Sequence, residues 1–316
     1  MGRPFLLYAP VAVFSLLVIA FQAQAGPGWY VGSELGVTLG SSLDTVGSSN
    51  DRASVCDEYI NPLFKYVEST QGYENTNCTG PDRGVGDDWQ NSFGSGEGIQ
   101  FGLTLGYRGV SGSSFRAELE YFYRDAGYDE TSAVPGAGGA SGDKLAQEIV
   151  TANEHIGSVT SHNLFTNLYF DFSSHSRLTP YIGVGVGLGW TELDYGAVFQ
   201  RNIDKNAIQT GAGLSNADAI REKLAGSTTT AQEALRDVLF GYQVLLGIDY
   251  AFTDSFSAGI KGRWINFEPF KDGEERDTLR SHISNLRLDG SEPVKGYLYT
   301  EDTEIAAVSL TLKYRF

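Results

Sequence analysis

The sequence predicts an all-β protein: an eight-stranded, antiparallel, up-and-down transmembrane β-barrel with four long extracellular loops that carry short helices. Three observations predict this fold. Apolar and polar residues alternate with a period of two in eight separate segments. The connections between these segments are alternately short and long. After the first 25 residues, no run of about 18 apolar residues is available for a membrane-spanning helix.

Composition supports strands and excludes one class of partner. The 316 residues include 39 Asp and Glu against 23 Lys and Arg, which gives a formal net charge of −16. Nucleic acid is excluded as a partner, because binding to a phosphate backbone depends on clustered cations. The 39 glycines and the 12% aromatic content favour many short strands over an ordinary α/β enzyme.

The amino terminus has the features of a secretory signal peptide. Arg3 provides the positive charge, residues 5–21 are largely apolar, and Ala23-Gln24-Ala25 forms a small-x-small cleavage site. The alternative is a membrane anchor, which is disfavoured because the apolar stretch is short and the cleavage pattern follows at once. The sequence therefore predicts a signal peptide over residues 1–25 and a barrel domain over residues 26–316.

The cysteines fit an exported protein. Cys56 and Cys78 are the only two in the chain, and no C-x2-C metal or redox motif is present. Export brings the chain into an oxidising compartment, so we predict one disulfide between Cys56 and Cys78.

Each of the eight segments has one apolar face without charges and one face of glycine, polar and charged residues. The length of about ten residues suits a tilted strand that crosses a bilayer. The predicted strands are residues 29–39, 99–108, 115–124, 163–172, 182–190, 240–250, 256–264 and 306–316.

The connections predict a topology. Residues 109–114, 173–178 and 253–255 are short turns, expected on the periplasmic side together with both termini. The long connections, expected outside the cell, are residues 40–98, 125–162, 191–239 and 265–304. They carry nearly all of the net negative charge, which indicates either a solvated surface or a surface for cations or basic host molecules. Short helices are predicted within them at residues 143–155, 216–225 and 277–286.

Alternation alone is compatible with a soluble calyx whose apolar face points inward. Volume favours the membrane barrel, because eight strands enclose little more space than side chains fill. The apolar face holds too many large side chains for that space, whereas the opposite face is rich in glycine. Aromatic residues also cluster at the strand ends, as in the interfacial girdles of membrane barrels.

Twelve charged residues fall on the predicted inward face. Buried charges must be paired or hydrated, so we predict an ion-pair network that closes the lumen. A narrow ion path is the alternative. The network residues are Glu34, Arg108, Arg116, Glu118, Glu120, Arg124, Asp171, Asp249, Lys261, Arg263, Lys313 and Arg315.

The sequence resembles the small outer-membrane β-barrel family, the OmpA/OmpX-like and opacity-protein-like group. The resemblance is carried by residues 28–32, 105–108, 115–120, 179–185, 247–250 and 312–316. It implies a place in the outer membrane of a Gram-negative bacterium, surrounded by lipid and lipopolysaccharide. It also implies that Leu312, Tyr314 and Phe316 form the assembly signal read by the barrel-insertion machinery. The loops are far longer than in minimal members of the family, so the resemblance implies no extracellular ligand.

Function is predicted to be structural or interactive: envelope integrity, adhesion, or contact with a host or extracellular ligand. A narrow pore for small solutes or ions is one alternative, and a lipid-modifying enzyme is another. Such an enzyme needs a serine and a histidine in hydrogen-bond reach, and no serine elbow accompanies His155, His162, His175 or His282. The sequence therefore predicts no enzymatic activity, no cofactor and no metal.

Overall fold

The structure, a computed structural model, describes residues 28–49, 66–67, 72–73, 88–109, 114–134, 148–172, 176–272, 275–281, 291–301 and 303–316. The predicted signal peptide over residues 1–25 lies outside the described residues, and so do Cys56 and Cys78 with their predicted disulfide. None of the described helices is long and apolar enough to cross a membrane.

Eight long strands form where the sequence predicts them. Six of them extend well beyond the predicted bounds, and two are close to the predicted length. They are β1 (Trp29–Ser49), β2 (Asp88–Arg108), β3 (Phe115–Ala133), β4 (Ile149–Asp171), β5 (Leu178–Arg201), β6 (Thr228–Ala251), β7 (Phe256–Phe267) and β8 (Thr303–Arg315).

The eight strands form a closed ring. Each strand pairs antiparallel with the next one along the chain, from β1 to β8. β8 then pairs antiparallel with β1, with Leu310 opposite Leu35. The ring therefore has the up-and-down topology that the sequence predicts, and its eight strands leave no edge unpaired around the lower part of the ring.

The two ends of the ring differ. The connections β2–β3, β4–β5 and β6–β7 lie at one end, together with Trp29 and Phe316. We call this the short-turn end and the opposite one the long-loop end. Next to the short-turn end, outward side chains are apolar and exposed, while inward ones are polar and buried. Glycine makes room for large inward rings: a Cβ atom at Gly106 would lie 2.0 Å from Cζ of Tyr30.

Toward the long-loop end the pattern inverts. Inward side chains become apolar, such as Trp89 and Phe93 on β2, while Gln90 and Ser92 between them are exposed. Register shifts in the β1–β2, β3–β4 and β4–β5 pairs accompany this change. This upper part of the ring has the side-chain distribution of a water-surrounded barrel.

A second pair of strands closes the ring at this level. β7 and β8 stop near the inversion, but residues Ser291–Thr300 pair with the upper part of β1. Residues Glu275–Ser281 pair with Ser291–Thr300 on one side and with β6 on the other. We call the eight strands at this level the upper ring: the continuations of β1 to β6 and the hairpin of residues 275–281 and 291–300.

One of the three predicted loop helices forms, as α1 (Ala217–Leu224). The prediction of helix over residues 143–155 is wrong for residues 148–155, because Glu148 lies in a turn and residues 149–155 belong to β4. The prediction over residues 277–286 is wrong for residues 277–281, which belong to the hairpin. In both segments strand pairing in the upper ring overrides a weak local helix preference. The remaining residues of these two predictions lie outside the described residues.

Candidate functional site

The lumen next to the short-turn end is filled by a network centred on Arg116. Its Nη1 is 2.8 Å from Oε1 of Glu118, and its Nε is 3.3 Å from Oδ1 of Asp171. The guanidinium also lies over the rings of Tyr169 and Tyr181, at 4.2 and 4.7 Å from their centres. We call this the Arg116 cluster, and its ion-paired members are Arg108, Arg116, Glu118, Asp171, Asp249 and Lys313.

A second network, the Glu120 cluster, lies deeper in the lumen and consists of Glu34, Glu120, Lys261 and Arg263. Nη2 of Arg263 is 2.7 Å from a carboxylate oxygen of each glutamate, and Nζ of Lys261 pairs with both. All four side chains are almost fully buried. Asn167 donates a further hydrogen bond of 2.8 Å to Glu120. Two cations and two anions therefore balance each other in a water-poor space.

An apolar plug fills the lumen above the Glu120 cluster. It begins at Phe122, whose ring centre is 4.1 Å from the Arg263 guanidinium carbon and which packs against Phe165. A Cβ atom at Gly241 would lie 2.6 Å from the ring of Phe267, which shows how closely the plug fits the wall. The plug residues are Leu43, Phe93, Phe122, Ile156, Val159, Phe165, Leu193, Tyr195, Ala197, Leu235, Leu239, Ile265, Phe267, Phe270, Leu298 and Ile305.

Near the rim of the upper ring two buried carboxylates hold the elements together. Glu154 accepts hydrogen bonds from the Tyr195 hydroxyl (2.5 Å) and from Asn91 (3.1 Å). Glu148 pairs with Arg201 at 2.7 Å and accepts from the backbone and hydroxyl of Thr210. Thr210 belongs to the β5–β6 connection, which also contains α1. Glu148 therefore ties this connection to the start of β4 and the end of β5.

An apolar belt surrounds the lower part of the ring. Its side chains reach 67% exposure at Leu310 and 62% at Leu246, so a continuous row of apolar side chains faces outward. Aromatic rings line the belt at the short-turn end, with Trp29 5.1 Å from Tyr107 and Tyr314 5.4 Å from Phe316. A closed strand ring with an apolar outer band and an aromatic girdle is built for lipid, where every backbone polar group must be paired.

The chain has the fold of the small outer-membrane β-barrel proteins. A lipid-facing closed barrel is the form in which chains span the bacterial outer membrane, so this barrel is located there.

Comparison with solved structures gives matches of the same kind. The barrel is similar to Neisserial surface protein A (11% identity, 92% of this chain and 97% of that chain, TM-score 0.41). It is also similar to the outer membrane protein OprG from Pseudomonas aeruginosa (13%, 92% and 98%, TM-score 0.36). A third match is Ail, the attachment invasion locus protein of Yersinia pestis (8%, 88% and 98%, TM-score 0.24). No family model matches the chain, and no curated protein matches it in sequence.

The barrel brings ten of the twelve predicted lumen charges into the two clusters, as listed above. Two differ. Arg124 points into the lumen and is buried, but no carboxylate of the described residues lies within ion-pairing distance of it. Arg315 is exposed where the lumen opens to solvent at the short-turn end, and it forms no ion pair with a described residue. Within the described residues, neither of these two arginines joins the ion-pair network.

The predicted assembly-signal residues lie on the last strand of the barrel. Leu312 and Tyr314 face outward in the belt, and the backbone of Phe316 donates a hydrogen bond to the carbonyl of Trp29. The last residue is thus fastened to the first strand at the point where the ring closes.

Among the described residues, neither His155 nor His162 is hydrogen-bonded to a serine. His162 faces outward and shares a hydrogen bond of 2.8 Å with the Tyr121 hydroxyl, while Ser161 faces the lumen. Nδ1 of His155 shares a hydrogen bond of 3.0 Å with the Thr131 hydroxyl. His175 and His282 are outside the described residues. Among the described residues no group of three or more His, Cys, Asp or Glu could hold a metal ion.

The apolar plug and the upper ring are the features that sequence reasoning missed. In the predicted strand over residues 115–124, Phe122 shares the inward face with the charged residues, and one apolar residue among charges does not indicate a plug. The signal that could have found the upper ring is the inverted alternation, such as Trp89, Asn91 and Phe93 facing one way with Gln90 and Ser92 facing the other.

Proposed function

We propose that this protein is a non-conducting outer-membrane barrel that holds its upper ring and long loops outside the cell as a rigid surface for a binding partner. The observation that carries the proposal is the continuation of six strands beyond the apolar belt into a second, filled ring. A membrane anchor alone needs no such extension, because about ten residues per strand suffice to cross a bilayer. A pore of the same height would need an open lumen.

The filling of the lumen supports the non-conducting part. The Arg116 cluster, the Glu120 cluster and the apolar plug follow one another along the axis. A ring of eight strands encloses only enough space for its own side chains. Hydrated ions would have to displace both balanced charges and packed aromatic rings.

Three features support the binding part. The upper ring is fixed on both sides of the long-loop end, by the hairpin next to β1 and by the Glu148 contacts of the β5–β6 connection. Loops on a rigid scaffold are well suited to recognition. The long connections also carry most of the negative charge of the chain, which favours a host or extracellular partner with a basic surface.

Lipid and lipopolysaccharide would surround the belt, and the insertion machinery would recognise Leu312, Tyr314 and Phe316 during assembly.

Conductance tests the closed lumen. The purified barrel, inserted into a planar bilayer, is expected to give no steady single-channel current, because the two clusters and the plug fill the lumen between the described strands. A large porin in the same bilayer provides the positive control. Steady currents that change when Arg263 or Glu118 is replaced by alanine would contradict a closed lumen.

Protease treatment tests the orientation. Protease added to intact cells is expected to cut the long connections, such as residues 50–87, and to leave the β2–β3 turn at residues 109–114 intact. The same protease should reach residues 109–114 once the outer membrane is permeabilised, which shows that the turn can be cut. Cleavage of that turn in intact cells would mean that the upper ring faces the periplasm.

A further inference from the structure

Arg124 is a buried cation whose counter-ion is missing from the described part of the chain. Its side chain lies inside the barrel, is 2% exposed, and two of its guanidinium nitrogens, Nε and Nη1, are buried without a hydrogen-bond partner. By contrast, Arg116, Arg201, Lys261 and Arg263 each pair with a carboxylate. Arginine does not lose its proton in proteins, so this charge persists.

No carboxylate of the described residues forms an ion pair with Arg124, and Asp125, the next residue along β3, acts on it only through space. Arg124 borders a small cavity whose wall is largely apolar and includes the plug residues Leu43, Leu193 and Phe267. Tyr128 also lines this cavity above the belt. Burial raises the pKa of its phenol, against the opposing influence of Arg124, so Tyr128 remains neutral near pH 7. An isolated charge in such a place is strongly unfavourable unless something neutralises it.

We propose that Arg124 holds a monatomic anion, chloride or bromide, inside the barrel. The ligand chemistry follows from the wall. Besides Arg124, the cavity is lined by Ser161 and Thr191, whose hydroxyl groups can donate hydrogen bonds to an anion. The cavity measures about 20 Å³, enough for one particle close to water in size. Sulfate, phosphate and carboxylates are too large for it.

The test compares two monovalent anions with the full mature chain folded in detergent micelles. Unfolding is followed in chloride and in methanesulfonate at equal ionic strength, the latter being too large for the cavity. Chloride is expected to raise the unfolding midpoint of the natural protein by about 3 °C or more, because a ligand that binds only the folded state stabilises it. The Arg124→Gln variant is expected to show the same midpoint in both salts.

Two controls sharpen the comparison. Arg236, which is exposed and paired with Glu192, provides a matched cation: Arg236→Gln is expected to keep the full chloride response. Crystals soaked in bromide give a direct readout that does not depend on the stability of any variant. An anomalous bromide peak beside the Arg124 guanidinium is expected.

Two results would overturn the proposal. One is an equal midpoint of the natural protein in both salts, and the other is a chloride response that survives in Arg124→Gln. In the first case Asp302→Asn, a change adjacent in sequence to the cavity-lining Thr303, identifies the reason. A chloride response that emerges only in this variant would show that the chain supplies its own counter-ion.

Discussion

Replacing Glu120 by glutamine is expected to destabilise the barrel by roughly 3–5 kcal/mol, the range for breaking a buried ion pair from one side. Glu120 is fully buried. One of its carboxylate oxygens forms ion pairs with Lys261 and Arg263, and the other accepts a hydrogen bond from Asn167. The variant preserves volume and one acceptor oxygen but removes the charge. Two buried cations then share the single carboxylate of Glu34, and one unit of positive charge stays uncompensated.

The measurement is the free energy of unfolding in lipid vesicles, from urea titration followed by tryptophan fluorescence and by the gel mobility of unheated samples. The matched control is Glu192→Gln. Glu192 pairs with Arg236 at 2.6 Å, as short as the buried contacts, but the two side chains are 41% and 73% exposed. Exposed pairs contribute well under about 1 kcal/mol, so the control is expected to unfold like the natural protein. Equal effects of the two variants would mean that water reaches the Glu120 cluster.

The same comparison of buried and exposed positions explains what the sequence could predict. In the lower part of the barrel, outward residues from Leu35 to Leu39 alternate strictly with inward Glu34, Gly36 and Thr38. Lipid outside and a crowded interior impose opposite demands on the two faces. Apolar and polar residues therefore alternate along each strand with a period of two, and this alternation predicts the eight strands and their order.

The upper ring could not be predicted in the same way, because its surroundings reverse the demands. On β4 the inward residues become Ile156 and Val159, and a register shift lies between them. Such a shift breaks the alternation, since one extra residue moves every later side chain to the other face. The hairpin that closes the upper ring depends on pairing between residues 291–300 and β1, which are more than 240 positions apart. No local pattern encodes that contact.

The lumen was predictable as a set of charges but not as a set of pairs. Inward position follows from alternation, which assigns Arg116, Arg124 and Arg263 alike to the interior. Their partners depend on the height and angle at which each strand brings its side chain across the lumen. Arg263 thereby meets Glu120 from the opposite wall at 2.7 Å, whereas Arg124 faces the apolar plug. The alternation period contains no information about those heights.

Leu310→Arg is expected to produce the largest effect of any outward substitution, about 2–4 kcal/mol of destabilisation in lipid vesicles. Leu310 lies in the middle of the lipid-facing row of β8, with Val308 and Leu312 on either side, and is 67% exposed. A guanidinium there would have to sit in hydrocarbon or bend out to the headgroups. If the same surface faced water, adding a charge would change stability by less than about 0.5 kcal/mol.

The matched control for this prediction is Gln232→Arg, an exposed outward position of β6 in the upper ring, which is expected to be neutral. Leu246 lies in the belt on β6, and β7 separates it from β8. Leu246→Arg is expected to destabilise the barrel as much as Leu310→Arg, which would show that the effect is not specific to β8. If both leucine variants leave the free energy of unfolding unchanged, the lower part of the barrel does not face lipid. If Gln232→Arg strongly destabilises the barrel, the upper ring also faces lipid. Either outcome would refute the division of the barrel into a lipid-facing and a water-facing part.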